Sequence, residues 1–359
     1  MMQSQSWNRL TSLVTELVET QRTIEAIDVS LITPHQQLHF GAQQSHLPET
    51  PLFLVASLTK PFVALATMHL IEQGMLTLNQ KVSTVLPEFK RHSKQTITVR
   101  QLLSHTSGLP DQPADDQQLR EAESPLTLYW QRACETELDN PPGTRARYSS
   151  LGYVVLAKLI ETLSGQSLPN RLETEFFHPL GMASTWLGLP QDSLLNSRLE
   201  QSVPVQQVAA YPDLSKRWNT PYWRTLGAPW GGMTSTSADL IRFAQWMLSG
   251  TPQLSISQAS KNLCTEDQLQ HQEKVDSFDK TFRCWGLGFR QNWPGHSTTF
   301  GDYLSPQAYG HWGATGALLW IDPVLQAACV ICTSQATVDS ELSLQKLSNL
   351  AALTASQSN

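Results

Sequence analysis

Between Phe62 and Ile71 the chain is almost wholly apolar, and no other segment constrains the fold as tightly. A helix with no polar face must be buried on all sides, so other elements have to surround it. Gly74 marks its C-terminal stop. Pro61 belongs in or near the first turn, because a proline deeper in a helix loses a backbone bond and clashes with the preceding turn. This reasoning predicts a helix over 57–73 with Ser57 at its mouth, beside unpaired N–H groups that favour developing negative charge. Lys60 lies three residues on, shares that face and reaches the Ser57 hydroxyl. A lysine among apolar neighbours loses proton affinity and can serve as a general base near neutral pH. The spacing itself is common: Ser277/Lys280 and Ser343/Lys346 repeat it, the first in a polar, acidic stretch. The buried helix behind Ser57 sets it apart.

With 359 residues and 40% hydrophobic content, the chain can bury a large core. A net charge of -6 without basic runs gives no electrostatic footprint for nucleic acid or an anionic membrane, so neither is expected as a partner. No apolar stretch has the length of a membrane span, and residues 1–21 lack the basic-then-apolar order of a signal peptide, which points to a cytoplasmic protein. Five cysteines, an odd number at low density, agree with a reducing compartment. Cys329 and Cys332 fall in an apolar segment that reads as a buried strand, where residues three apart face opposite sides, so they are packing residues rather than a redox pair. The ten histidines form no close-spaced ligand pattern; neither a metal nor a cofactor is expected.

Leu10, Leu13, Val14, Leu17 and Val18 follow helical spacing. Strands are predicted over Ile24–Ile32 and Gln37–Gly41 as a hairpin, and again near the other end over Trp285–Arg290, Ala317–Ile321 and Ala327–Thr333. A closing helix spans Glu341–Leu353. Between these ends lie helices over Val99–His105 with Thr98 as N-cap, Leu126–Glu137, Leu151–Leu163 stopping at Gly165, Leu168–Phe177, and Ser237–Leu248 with Ser237 as N-cap. Segments 110–125 and 191–229 are loops or small elements. The fold class is therefore α+β: an antiparallel sheet assembled from both chain ends and flanked by the terminal helices, with a mainly helical inserted region. We take residues 1–359 as one catalytic domain, with 1–56 plus 280–359 forming the sheet region and 57–279 the helical one.

Five segments, in order, carry a resemblance. They are Ser57-Leu58-Thr59-Lys60-Pro61-Phe62; Ile97 through Leu109, which contains Leu102-Leu103-Ser104-His105-Thr106-Ser107-Gly108-Leu109; Pro142 through Ser150; Gly231-Gly232-Met233 through Leu240; and Gly310 through Gly316. Together they resemble the serine β-lactamase and penicillin-recognising superfamily, in the branch of class C β-lactamases, D-alanyl-D-alanine peptidases and related esterases. The resemblance implies that Ser57 is the nucleophile, Lys60 its companion amine, and Tyr148 the phenol that shuttles protons. A phenol with a lowered pKa beside an ammonium suits that task. It also implies an oxyanion hole from the backbone N–H groups of Ser57 and Ala314, and a substrate wall of Ser150, His311, Trp312 and Gly313. His105 recurs in the family's helix-ending segment and reads as structural.

Two positions depart from the pattern of efficient β-lactamases. Ser150 stands where asparagine is usual, and His311-Trp312 where Lys-Thr is usual. A serine hydroxyl is shorter and offers a single donor. A histidine supplies charge only near or below its own pKa. The expectation is a serine hydrolase acting through an acyl-enzyme on a small ester, amide or peptide, closer to an esterase or peptidase than to an efficient β-lactamase. A non-hydrolytic binding protein on the same fold, an acyltransferase and a true β-lactamase are the alternatives. Oligomeric state is not legible. The aromatic residues Trp218, Tyr222, Trp223 and Trp230 read equally as a rim over the site or as buried packing.

Overall fold

The computed structural model describes residues 4–206, 208, 213, 217–249, 254–270, 272–292 and 300–357. Strands β1 (Ala26–Ile32) and β2 (Gln37–Gln43) form the expected hairpin. Three short strands, β3 (Phe53–Leu54), β4 (Trp186–Leu187) and β5 (Met233–Ser235), make a small antiparallel sheet in the order β3-β5-β4. Strands β6 (Arg290–Gln291), β7 (Tyr309–Gly313), β8 (Ala317–Asp322) and β9 (Ala327–Thr333) complete a six-stranded antiparallel sheet in the order β2-β1-β9-β8-β7-β6. The sheet is thus built from both ends of the chain.

Period-two alternation sorts its side chains onto two faces. Ile27, Val29, Leu31, Leu318, Trp320, Cys329 and Ile331 pack under the terminal helices Gln5–Thr15 and Thr337–Ser356. Leu319, Ile321, Val330 and Cys332 join the larger core of the helical region. Cys329 and Cys332 therefore lie on opposite faces, and both thiols are free. Full burial of each large apolar side chain contributes roughly 1.5–3 kcal/mol, so this double-sided sheet is the anchor of the fold.

The helix predicted from Phe62 is a core helix, Thr59–Glu72, buried from Thr59 through Met68. Ser57 precedes it in a 3-10 turn, Ala56–Leu58, instead of sitting in its first turn. Ala56 has φ of +44°, a left-handed conformation that costs a β-carbon residue roughly 1–2 kcal/mol and here sets the angle of the serine. Thr98 caps the Val99–Leu103 helix through a reciprocal box with Gln101. Ser237 is not a cap. Thr236 accepts from Asp239 N, while Ser237 Oγ donates to buried Asp28 Oδ2 at 2.6 Å and pins the Ser237–Ser249 helix to β1.

The strand expected over Trp285–Arg290 is a tight reversal. Trp285 bridges Arg290 directly, and β6 begins only at Arg290. Gly288, at φ +76°, permits the turn. The segments read as loops or small elements carry short helices, Asp116–Glu121, Leu195–Gln201 and Pro221–Leu226. Among the described residues, no helix is long and apolar enough to cross a membrane.

Candidate active site

The turn that carries Ser57 lies between the core helix and the end of β7. A side chain at Gly313 would collide with the Val55 carbonyl oxygen and Ala56 Cβ, so only glycine lets the strand approach so closely. Thr315 Oγ1 donates to Leu54 O and fastens the two segments together. Thr337 Oγ1 donates to Gly313 O at 2.6 Å, and Gly316 N donates to the same carbonyl at 3.0 Å. Because a trans peptide points its C=O and N–H in opposite directions, this grip turns the Ala314 N–H away from Thr337.

Ser57, Lys60 and Tyr148 converge. Tyr148 Oη lies 2.7 Å from Ser57 Oγ, and Lys60 Nζ lies 3.1 Å from the same oxygen. Lys60 is fully buried and donates to Trp230 O at 2.6 Å. Burial lowers its pKa to about 7, partly offset by the Asp111 carboxylate. A neutral amine with one N–H on Trp230 O has its lone pair available to the serine proton. The other Ser-x-x-Lys pairs lack this setting: Ser277 and Lys346 are exposed.

Tyr148 differs from expectation in its acidity. Burial pushes the phenol well above its ordinary value, and neither its bond to Ser57 nor the Arg290 charge reverses this. It is therefore a protonated donor at neutral pH, not a phenolate beside an ammonium. Its loop is held from outside by Asp279, which accepts from Ala146 N at 2.9 Å and from Arg145 Nε at 2.7 Å. From inside, the loop rests on His105, whose ring lies 4.7 Å from the Tyr148 ring.

His311 and Trp312 part company on β7. The His311 ring is buried 6.1 Å from the Tyr148 ring, while the Trp312 indole packs on the opposite face, 5.7 Å from Phe300. Only the Trp312 carbonyl serves the site side, accepting from His311 Nδ1 at 2.7 Å. Nδ1 consequently holds the proton, and His311 Nε2 is a bare acceptor with no partner among the described residues. Burial, with the Lys60 charge, lowers the His311 pKa to about 3. At neutral pH it carries no charge.

The family model described as Beta-lactamase matches residues 13–352. The chain belongs to the beta-lactamase family. A penicillin-binding protein 4 from Amycolatopsis lactamdurans is 30% identical over 274 residues, covering 74% of this chain and 66% of that protein. A protein of Salmonella agona named for D-alanyl-D-alanine carboxypeptidase activity is 28% identical over 315 residues, covering 78% and 68%. The chain thus spans about two thirds of the length of these relatives. Among solved structures, the D-amino acid amidase of Ochrobactrum anthropi superposes with a TM-score of 0.76 over 99% of both chains at 20% identity, a likeness of fold.

In this beta-lactamase family member the departures at 150 and 311–312 have structural counterparts. Ser150 N donates to Asp111 Oδ1 at 2.8 Å at the start of the Leu151–Ser164 helix. Arg290 lies over the Trp312 ring at 4.2 Å and the Trp285 ring at 5.2 Å. Its pKa is lowered to about 10 by burial, so it stays charged at neutral pH. A fixed cation therefore stands near the site although the strand itself supplies none.

Arg290, Asp111 and the Trp230 carbonyl are absent from the sequence reading. Each reaches the site through a long-range contact; Trp230 adjoins the Gly231-Gly232 segment, but nothing in that segment marks its carbonyl as a partner of Lys60. Trp218, Trp223 and Trp230 are buried, with Trp230 packed on Tyr129 at 5.1 Å, and half-buried Tyr222 packs on the same core and donates to Ser124 O at 2.7 Å, so these aromatics serve as packing. Among the described residues, no group of three or more His, Cys, Asp or Glu could hold a metal ion. Within the beta-lactamase fold of this chain, a Ser-Lys-Tyr cluster occupies the candidate site.

Proposed function

We propose that this enzyme cleaves a small ester, amide or peptide bond through an acyl-enzyme on Ser57. One observation carries the reading: Ser57 Oγ is shared by a protonated phenol at 2.7 Å and by a buried amine at 3.1 Å whose pKa lies at about 7. An amine so tuned is half neutral at pH 7 and is a competent general base there. Ser57 Oγ attacks the carbonyl carbon while its proton passes to the Lys60 lone pair. The carbonyl electron pair moves to oxygen, where the N–H groups of Ser57 and Ala314 receive it.

When the tetrahedral adduct collapses, Tyr148 gives its proton to the leaving group and regains one from Lys60. The high proton affinity of the phenol requires these transfers to be coupled, so that no free phenolate forms. Water then attacks the acyl-enzyme and the proton path runs in reverse. His311 Nε2 and the Ser150 hydroxyl offer substrate contacts, the first as an acceptor only. The Gly313 strand end lets the acyl group lie close to the backbone.

The relatives named for penicillin binding, D-alanyl-D-alanine carboxypeptidase and D-amino acid amidase support amide or peptide chemistry, and the neutral His311 supports esters over penicillins. The five free thiols favour a reducing compartment. Labelling with a fluorophosphonate and with a tagged penicillin, followed by mass spectrometry, tests the assignment. The adduct is expected on Ser57, and Ser57→Ala should lose both the label and turnover. Wild-type ester hydrolysis by that variant would overturn the mechanism; binding without acylation in the wild type would make the protein a non-hydrolytic member of the family.

A further inference from the structure

We infer that His105 is a positioning residue for the Tyr148 hydroxyl, a role that rests on the reading of Tyr148 as the proton donor. The geometry brackets the tyrosine on both sides. Arg147 N donates to His105 O at 2.8 Å, and Ser149 N donates to His105 Nδ1 at 3.1 Å, so the N–H groups of the residues before and after Tyr148 both end on this one residue. Between them the two rings lie 4.7 Å apart and tilted by 33°. The imidazole is itself clamped by Trp285, edge-on at 4.4 Å, and by Tyr153 at 5.5 Å.

The backbone at His105 is built for this grip. Its φ is +57°, a left-handed conformation rarely held by a residue with a β-carbon, and it directs the carbonyl and the ring toward the same loop. Helix ends usually give this conformation to glycine or asparagine, so the strain is tolerated here for what the side chain does. Because Nδ1 accepts from Ser149 N, the ring proton is on Nε2, which has no hydrogen-bond partner among the described residues. A protonated ring would lose the Nδ1 acceptor. Burial, with the nearby positive charges of Lys60 and Arg290, keeps the ring neutral by pushing its pKa well below the ordinary value. The residue thus combines an acceptor at the δ position with a flat ring against the phenol.

Two substitutions separate these parts. His105→Asn keeps an acceptor at the δ position and suits a positive φ, but removes most of the ring. His105→Phe keeps the ring and removes the acceptor. With activity expressed per folded protein, from circular dichroism and a thermal melt, His105→Phe should lower kcat for p-nitrophenyl acetate by about tenfold at nearly constant KM, as a misplaced catalytic group does. His105→Asn should recover much of that loss while melting lower than the wild type.

The decisive comparison repeats His105→Phe in a Tyr148→Phe background. If His105 acts through the hydroxyl, it has nothing left to position there, and kcat should not fall further. An equal fold-loss in both backgrounds, or unchanged kcat per folded molecule in both His105 variants, would overturn the inference while leaving Tyr148 as the donor. Full kcat in Tyr148→Phe alone would instead overturn the reading of Tyr148, and the inference with it. Should His105→Phe fail to fold, the Asn variant carries the same cycle: it must show a smaller loss in the Tyr148→Phe background than in the wild type.

Discussion

The acidity assigned to Lys60 makes a quantitative prediction about pH. Acylation needs the neutral amine, so its rate should follow the fraction of Lys60 without a proton. With a pKa of about 7, that fraction is about 9% at pH 6, about half at pH 7 and about 91% at pH 8. Lowering the pH from 8 to 6 should therefore reduce kcat/KM about tenfold, along a single rising limb. His311 adds no second limb in this range, because its pKa lies at about 3 and it stays neutral throughout. Asp111 supplies the test of cause. Its carboxylate holds the Lys60 pKa up against burial, so Asp111→Asn should move the limb to lower pH with little change in the plateau. The assay is initial-rate hydrolysis of p-nitrophenyl acetate, read at the isosbestic wavelength of p-nitrophenol in constant-ionic-strength buffers. A flat profile between pH 6 and 8, or a limb that Asp111→Asn moves upward, would refute the assignment of Lys60 as the base.

Three further outcomes follow from the geometry. Comparing kcat/KM on one preparation, p-nitrophenyl esters should be turned over readily and nitrocefin slowly: losing one charge-assisted and one neutral hydrogen bond at positions 311 and 150 removes about 2–4 kcal/mol, roughly 30-fold to 10³-fold in rate. Gly313→Ala forces a methyl group against the Val55 carbonyl, so activity should fall at least about tenfold, with a lower Tm, the overpacking costing about 1–3 kcal/mol. Lys60→Met should change Tm relative to the wild type more favourably at pH 6 than at pH 9. The folded-state pKa of Lys60 is lowered, so the wild type bears the full burden of a buried ammonium below pH 7, and that burden lightens as pH rises toward the unfolded value of 10.5; melts at the two pH values check the sign.

The pairing of Ser57 with Lys60 was legible because its evidence is local. Ser57, Lys60 and the apolar run behind them lie within one stretch of chain, and the motifs around Tyr148 and His311 supplied the partners. Charge states were not legible, since they depend on burial that distant segments create: the phenol is less acidic than expected, and the histidine is less basic. Arg290 and Asp111 escaped for the same reason. Within the fold, the alternation of Trp285, Leu287 and Phe289 imitated a strand, but Gly286 and Gly288 allow the chain to double back there. Ser237 looked like a cap because serine before an apolar run so often is one; its hydroxyl is instead taken by Asp28 across the core. The sheet assembled from both ends was recovered because buried strands announce themselves by composition as much as by pattern.

The pairing of β1 with β9 also imposes an order of events during synthesis. The ribosome delivers the hairpin, the core helix with Ser57 and Lys60, and the Tyr148 loop long before β7 and β9 emerge. Until those last strands dock, β1 presents an unpaired edge, and Ser57 has no strand beside it. Closing a sheet across nearly the whole sequence is slow, because chain entropy must be surrendered before any contact repays it. A chain without β7 to β9 would therefore hold Ser57 and Lys60 at the head of their helix with the facing side of the site still open.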